Sequence, residues 1–162
     1  MAAELHTGSA EALWQSLVLE SERCTGLRLE EELEAYLVFV LMRHARDGAL
    51  LARVMAIELL AASGLVGRRR LEELRDVGDR CLLLCGWFPA QARRRRVSRE
   101  YFARLGQSAY RAAAEHASAG YAALFTRLAE DFVRLSRVLA GVRAGAAPSV
   151  LPTLAAPVER LH

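Results

Sequence analysis

Apolar residues recur every three or four positions through most of the chain, and no segment alternates apolar and polar residues over a useful length. The first pattern is typical of amphipathic α-helices, whereas a half-buried strand repeats with a period of two. The pattern is interrupted at Gly26, Gly64, Pro89 and Gly120, and these residue types commonly end helices. We therefore predict an all-α fold, a single compact bundle of five to six antiparallel helices joined by short loops.

Capping residues and charges help to place the ends of the helices. Ser9 and Ser98 are N-cap residue types, and Gly26 is a C-cap type. We expect helices at about residues 10–24, 29–47, 49–62, 68–87, 99–116 and 121–141. The bundle then forms one domain over residues 1–141, and residues 142–162, rich in alanine and proline, are predicted to be a flexible tail.

The middle of the second predicted helix, from Tyr36 to Met42, is apolar around its whole circumference. In a chain with so few helices, such a helix is expected to leave one face for a second copy of the protein. The stripe Leu33, Leu37, Val40 and Leu41 has the spacing of a core face. The residues then predicted to face outward, into a homodimer interface, are Tyr36, Val38, Phe39 and Met42.

Composition narrows the class of protein. The 162 residues are 53% hydrophobic and 25% charged, which is typical of an ordinary globular domain. The longest strongly apolar run has only seven residues, far below the roughly 20 that span a bilayer. The first nine residues lack a signal-peptide pattern, and three cysteines do not make a disulfide framework. We therefore expect a cytoplasmic protein that has no membrane partner.

Arginine supplies all 22 basic residues, and this bias is typical of a GC-rich bacterial genome. Residues 1–48 carry nine acids and four arginines, whereas the rest of the chain carries ten acids and eighteen arginines. Opposite charge at the two ends favours self-association or an acidic partner. The chain contains a run of four arginines, called the arginine run below: Arg93, Arg94, Arg95 and Arg96. Because arginines can contact phosphates, nucleic-acid binding through this run is an alternative function.

Two thiols, Cys81 and Cys85, lie four residues apart in the motif CLLLC. They could be two ligands of one metal ion, but they share a stripe with Leu74 and Gly78, and free cysteine is commonly buried as a small apolar residue. We interpret them as a line of small residues that lets a second helix approach closely. No metal site is predicted.

His44 and His116 each extend an apolar stripe into the last turn of a predicted helix. Either they lie there because the helix dipole favours an imidazolium in the last turn, or they line a cavity for a small hydrophobic ligand or haem. No catalytic motif is found in the sequence, so we predict neither an enzyme nor a bound cofactor.

The leading hypothesis is a non-enzymatic, homodimeric helical protein that also binds an unidentified protein as an interaction or regulatory module. Trp87 and Phe88, large aromatics at a helix end beside the arginine run, are further candidates for partner contact. The alternatives are the sensor or carrier of a hydrophobic ligand, and the nucleic-acid-associated accessory protein.

Overall fold

The structure is a computed structural model that describes residues 2–44, 64–87 and 98–145, with side chains from residue 10 onward. Within these ranges every regular element is an α-helix, and the prediction of an all-α fold is confirmed. The helices are α1 (Ala2–Thr25), α2 (Glu31–His44), α3 (Gly67–Gly86), α4 (Arg99–His116), α5 (Ala119–Glu130) and α6 (Phe132–Gly145).

Two predicted elements fall largely outside the described residues. The third predicted helix, at 49–62, lies there entirely. The predicted tail begins at residue 142, but α6 continues to Gly145, so the first four of its residues are helical. The remainder of the tail, from residue 146, is not among the described residues.

Two of the three predicted capping residues lie at the helix ends expected for them, and the third does not. Gly26 has a φ of 71°, a left-handed conformation that glycine adopts without steric cost, and it follows the end of α1 as predicted. The Ser98 hydroxyl accepts the Tyr101 N–H at 3.1 Å, and Ser98 is the N-cap of α4. Ser9, however, lies inside α1, which begins at Ala2. A serine costs a helix interior only a few tenths of a kcal/mol, roughly, so it does not force a start.

The predicted sixth helix is two helices, separated at Asp131. This residue has φ −95° and ψ 13°, which departs from the helical conformation. The hydrogen bonds nevertheless continue past it, because the Asp131 N–H donates to the Arg127 carbonyl at 2.8 Å and the Asp131 carbonyl accepts the Leu135 N–H at 2.9 Å. Neither glycine nor proline marks the position, so the sequence carries no signal for the break.

The chain clusters into two compact units, residues 1–50 with 137–162 and residues 51–136. In the first unit α1 packs against α2, and the end of α6 approaches α1 closely. The Ser21 hydroxyl donates to the Val138 carbonyl at 2.7 Å, and a Cβ at Gly141 would collide with Ser21. The buried apolar side chains of this unit include Trp14, Val18, Leu33, Leu37, Val40, Leu41, Leu139 and Val142.

In the second unit α3 packs against α4, and α4 against α5. Every residue of α3 from Val77 to Gly86 is buried. Glycines allow this close packing: the Tyr110 ring of α4 lies against Gly78 of α3, and Cys81 of α3 lies against Gly106 of α4. The aromatic ring of Tyr110 also contacts the rings of Phe125 and Phe132, with centroids 6.2 and 6.0 Å away.

None of the helices in the described residues combines the length and the apolar composition that crossing a membrane requires.

Candidate functional site

The four residues predicted to face outward from α2 divide into two pairs. Phe39 is 45% exposed and Met42 is half-buried, but Tyr36 and Val38 are only 9% and 6% exposed, so the prediction of an outward orientation is wrong for this second pair. At about 100° per residue, Tyr36 and Val38 lie at the two margins of the arc that the core residues occupy. The buried arc of α2 is therefore wider than the stripe read from the sequence.

The exposed arc of α2 has an apolar centre and charged ends. Ala35, Phe39 and Met42 follow each other at spacings of four and three, so they form one short stripe. Glu31 and Glu32 are exposed at its N-terminal end and Arg43 at its C-terminal end, an order that also complements the helix dipole. This arc, residues 31, 32, 35, 39, 42 and 43, is called the α2 outer face below.

A hollow of about 140 Å³ opens between α1 and α2 beside this face. One part of its wall is apolar, and Leu19 there is one of the exposed large hydrophobic residues of α1. The apolar part consists of Val18, Leu19, Ala35 and Val38, and the polar part consists of Glu11, Gln15, Glu31 and Glu34. Because Ala35 carries only a methyl group, the α2 outer face is recessed there, one helical turn before Phe39. The arrangement places a protruding aromatic ring near a shallow depression whose lining is half apolar and half polar.

A pair of carboxyl groups, Glu22 and Glu34, lines a second, larger groove of about 540 Å³ in the first unit. Glu22 is buried, and its Oε1 accepts the backbone N–H of Leu29 at 2.6 Å, which ties the loop between the helices to α1. Glu34 is half-buried and hydrogen-bonds to Glu22. The pair could not be recognised in the sequence, because its members lie on different helices and form no motif.

The pKa of Glu34 is raised to about 7. Burial is the largest cause, followed by the hydrogen bond to Glu22 and the negative charges of Glu22 and Glu31, while Arg28 opposes the shift. A carboxyl that keeps its proton to near neutrality can donate it to Glu22, and the two groups then avoid the repulsion of two adjacent carboxylates. This corner of the first unit is therefore sensitive to pH in the physiological range.

Cys81 and Cys85 are buried free thiols of the second unit, which agrees with their interpretation as core residues. Cys81 packs against Gly106, and the Cys85 thiol donates to the Arg99 carbonyl at 3.5 Å. Burial raises the pKa of Cys85 to about 11, although Arg99 acts in the opposite direction. A thiol that resists ionisation in this way is a poor nucleophile and a poor metal ligand.

The second unit also buries a polar pair that sequence reasoning missed. Asp79 is fully buried in α3, and its Oδ1 accepts the Tyr110 hydroxyl at 2.7 Å. Oxygens of Asp76 and Asp79 lie within 4.8 Å of each other, close enough for both carboxylates to ligate one divalent cation. The apolar stripe of α3 directs attention to Cys81 and Cys85, whereas Asp79 reads in the sequence as a surface charge.

The remaining predicted site residues differ in their burial, and some lie outside the described residues. Trp87 is buried, so its large ring at the helix end fills the core. Its contact with a partner stays a prediction. His44 is buried and His116 is exposed, and their role in ligand binding stays a prediction. Phe88 and the arginine run lie outside the described residues.

No protein-family model, no curated protein and no solved structure matches this chain.

Proposed function

We propose that this protein is a non-enzymatic helical interaction module that forms a homodimer through the α2 outer face and, in that state, binds a further protein. The observation that carries the proposal is the exposure of Phe39. Phe39 is 45% exposed in a helix whose other large apolar residues are buried or half-buried. Phenylalanine and methionine are both enriched in protein interfaces relative to the rest of the protein surface.

The surroundings of Phe39 favour an interface over an isolated surface aromatic. Single exposed apolar residues are common on protein surfaces, but Phe39 continues into Ala35 and Met42 along the helix. The hollow beside Ala35 adds apolar surface from Leu19 and Val18 of α1. An apolar centre with charged residues at both ends has the usual organisation of a protein interface.

The experiment compares Phe39→Glu with Val133→Glu, a control in which an apolar residue of similar exposure, 47%, is changed on α6. The mass of the wild type and of both variants is measured by light scattering at micromolar concentration. We expect the wild type and the control to have twice the mass of the 17.9 kDa chain, and Phe39→Glu to be monomeric. Loss of two buried aromatic rings, at about 2 kcal/mol each, corresponds to roughly a thousandfold weaker dimer.

Circular dichroism shows whether each variant is folded, and an exposed site makes unfolding by Phe39→Glu unexpected. A monomeric wild type contradicts the proposal. So does a folded Phe39→Glu protein that remains as dimeric as the control.

A further inference from the structure

The charged residues of the α2 outer face lie where a second copy could pair with them. At about 100° per residue, Glu32 and Arg43 differ by only about 20° around the helix, so they lie along the same edge of the face. Eleven residues, or roughly 16 Å along the helix axis, separate them, and this distance prevents them from pairing with each other within one chain. Both side chains are exposed.

Resting on the proposed homodimer, we propose that the two copies pair through their α2 helices in antiparallel orientation, with Glu32 of each copy opposite Arg43 of the other and Phe39 of each copy seated beside Ala35 of the other. A two-fold axis that runs between the two α2 helices, perpendicular to both and level with the midpoint of residues 37 and 38, produces both relations. It also keeps residues of one edge of the face on the same edge in the second copy.

Charge decides between the two orientations that symmetry allows. In a parallel pair, residues at the same height along the helix axis come together, so the acidic end of one face, with Glu31 and Glu32, meets the acidic end of the other, and the two Arg43 side chains lie at one level. Like charges directly opposite each other are destabilising, whereas unlike charges steer two surfaces into register. The antiparallel pair places opposite charges together twice, once at each end of the interface.

Side-chain volume favours the same orientation. The parallel pair sets Phe39 against Phe39 and leaves the recess at Ala35 facing an identical recess. The antiparallel pair brings each Phe39 to within about one residue, roughly 1.5 Å along the axis, of Ala35 in the other copy. The aromatic ring then packs against the small side chain of Ala35, so large and small residues interdigitate.

The experiment uses two charge reversals in the full-length protein, Glu32→Arg and Arg43→Glu. Each variant alone places like charges at both ends of the antiparallel pair, and we expect its dimer dissociation constant to rise about tenfold. An equimolar mixture of the two variants restores opposite charges at both ends. We expect the mixture to form a heterodimer whose dissociation constant returns to within about threefold of the wild-type value.

The control is Glu72→Arg, a reversal of an exposed acid on α3, which should neither weaken the dimer nor rescue Arg43→Glu when mixed with it. Native mass spectrometry of differently tagged chains measures how much heterodimer forms. A wild-type dimer that neither reversal weakens, or whose weakened variants do not recover on mixing, overturns the antiparallel pairing and leaves the homodimer standing. A monomeric wild type overturns both.

Discussion

Replacing Gly78 with alanine tests the close packing that the CLLLC stripe predicts. A Cβ at this position would lie 2.5, 2.7 and 2.8 Å from three ring carbons of Tyr110. Real Cβ atoms do not come this close to neighbouring atoms, so either the ring or the helix must move. The cost depends on how freely Tyr110 can yield.

Tyr110 is held on several sides. Its side chain is fully buried, its ring contacts the rings of Phe125 and Phe132, and its hydroxyl donates to the buried Asp79 at 2.7 Å. A shift of the ring would therefore disturb aromatic packing and a buried hydrogen bond together. We take about 3 kcal/mol, the upper end of the usual cost of overpacking, as the destabilising contribution.

Alanine also favours a helix over glycine by about 1 kcal/mol, which opposes the steric cost. The expected net loss is about 2 kcal/mol in the free energy of unfolding, or a decrease of roughly 4 to 8 °C in the melting temperature of a chain of this size. Urea unfolding followed by circular dichroism measures the first quantity, and a thermal scan measures the second.

Gly120→Ala is the matched control, because nothing lies within 4 Å of a Cβ built at Gly120 in α5. There the same substitution should leave stability unchanged or raise it by up to about 1 kcal/mol. If Gly78→Ala is as stable as Gly120→Ala, the close approach of α3 and α4 at Tyr110 is wrong.

Two further predictions follow from the titratable residues of the two units. The pKa of Glu34 is about 7 in the folded protein against an ordinary 4.5, so its contribution to stability is fully present below pH 4.5 and is lost as the pH rises to about 7. The melting temperature of Glu34→Gln should therefore fall less than that of the wild type between pH 4.5 and pH 7.5. The control is Glu72→Gln, a change at an exposed acid of α3 that does not act on Glu34, and equal falls in all three proteins would contradict this. Replacing both Cys81 and Cys85 with alanine should lower the free energy of unfolding by about 1 to 2 kcal/mol without changing the oligomeric state. Bound zinc that is stoichiometric in the wild type and absent from the double variant would show that these thiols are ligands after all.

The sequence was most informative where local chemistry alone determines structure. Ser98 precedes a helix whose apolar spacing begins at once, and its hydroxyl caps that helix as expected. Gly26 ends α1 because no other residue adopts a left-handed conformation so readily. In both cases the physical cause lies within a few residues of the effect, so a single sequence contains all the necessary information.

Helix faces were predicted less well than helix positions. The stripe through Leu33, Leu37, Val40 and Leu41 is buried as expected, but Tyr36 and Val38 are buried too. How wide an arc becomes buried depends on how closely other helices approach, and small residues distant in sequence control that approach. Gly141 of α6, for example, leaves room for Ser21 and Thr25 of α1.

The buried polar groups were the hardest features to predict from the sequence, because a charged residue can be assigned to a core only when its partner is known. Asp79 lies 31 positions before Tyr110 in the chain, and Glu22 of α1 interacts with Leu29 in the loop and with Glu34 of α2. Burying a carboxylate is unfavourable unless hydrogen bonds compensate. Each of these acids therefore fixes a relation between two helices that apolar side chains alone would leave free to slide.

Asp79 fixes the position of α3 against α4 at Tyr110, and Glu22 fixes the position of α1 against the start of α2. The second relation has a consequence for the proposed dimer, because the position of α2 against α1 sets how far Ala35, against which Phe39 of the second copy is proposed to pack, is recessed from the surface.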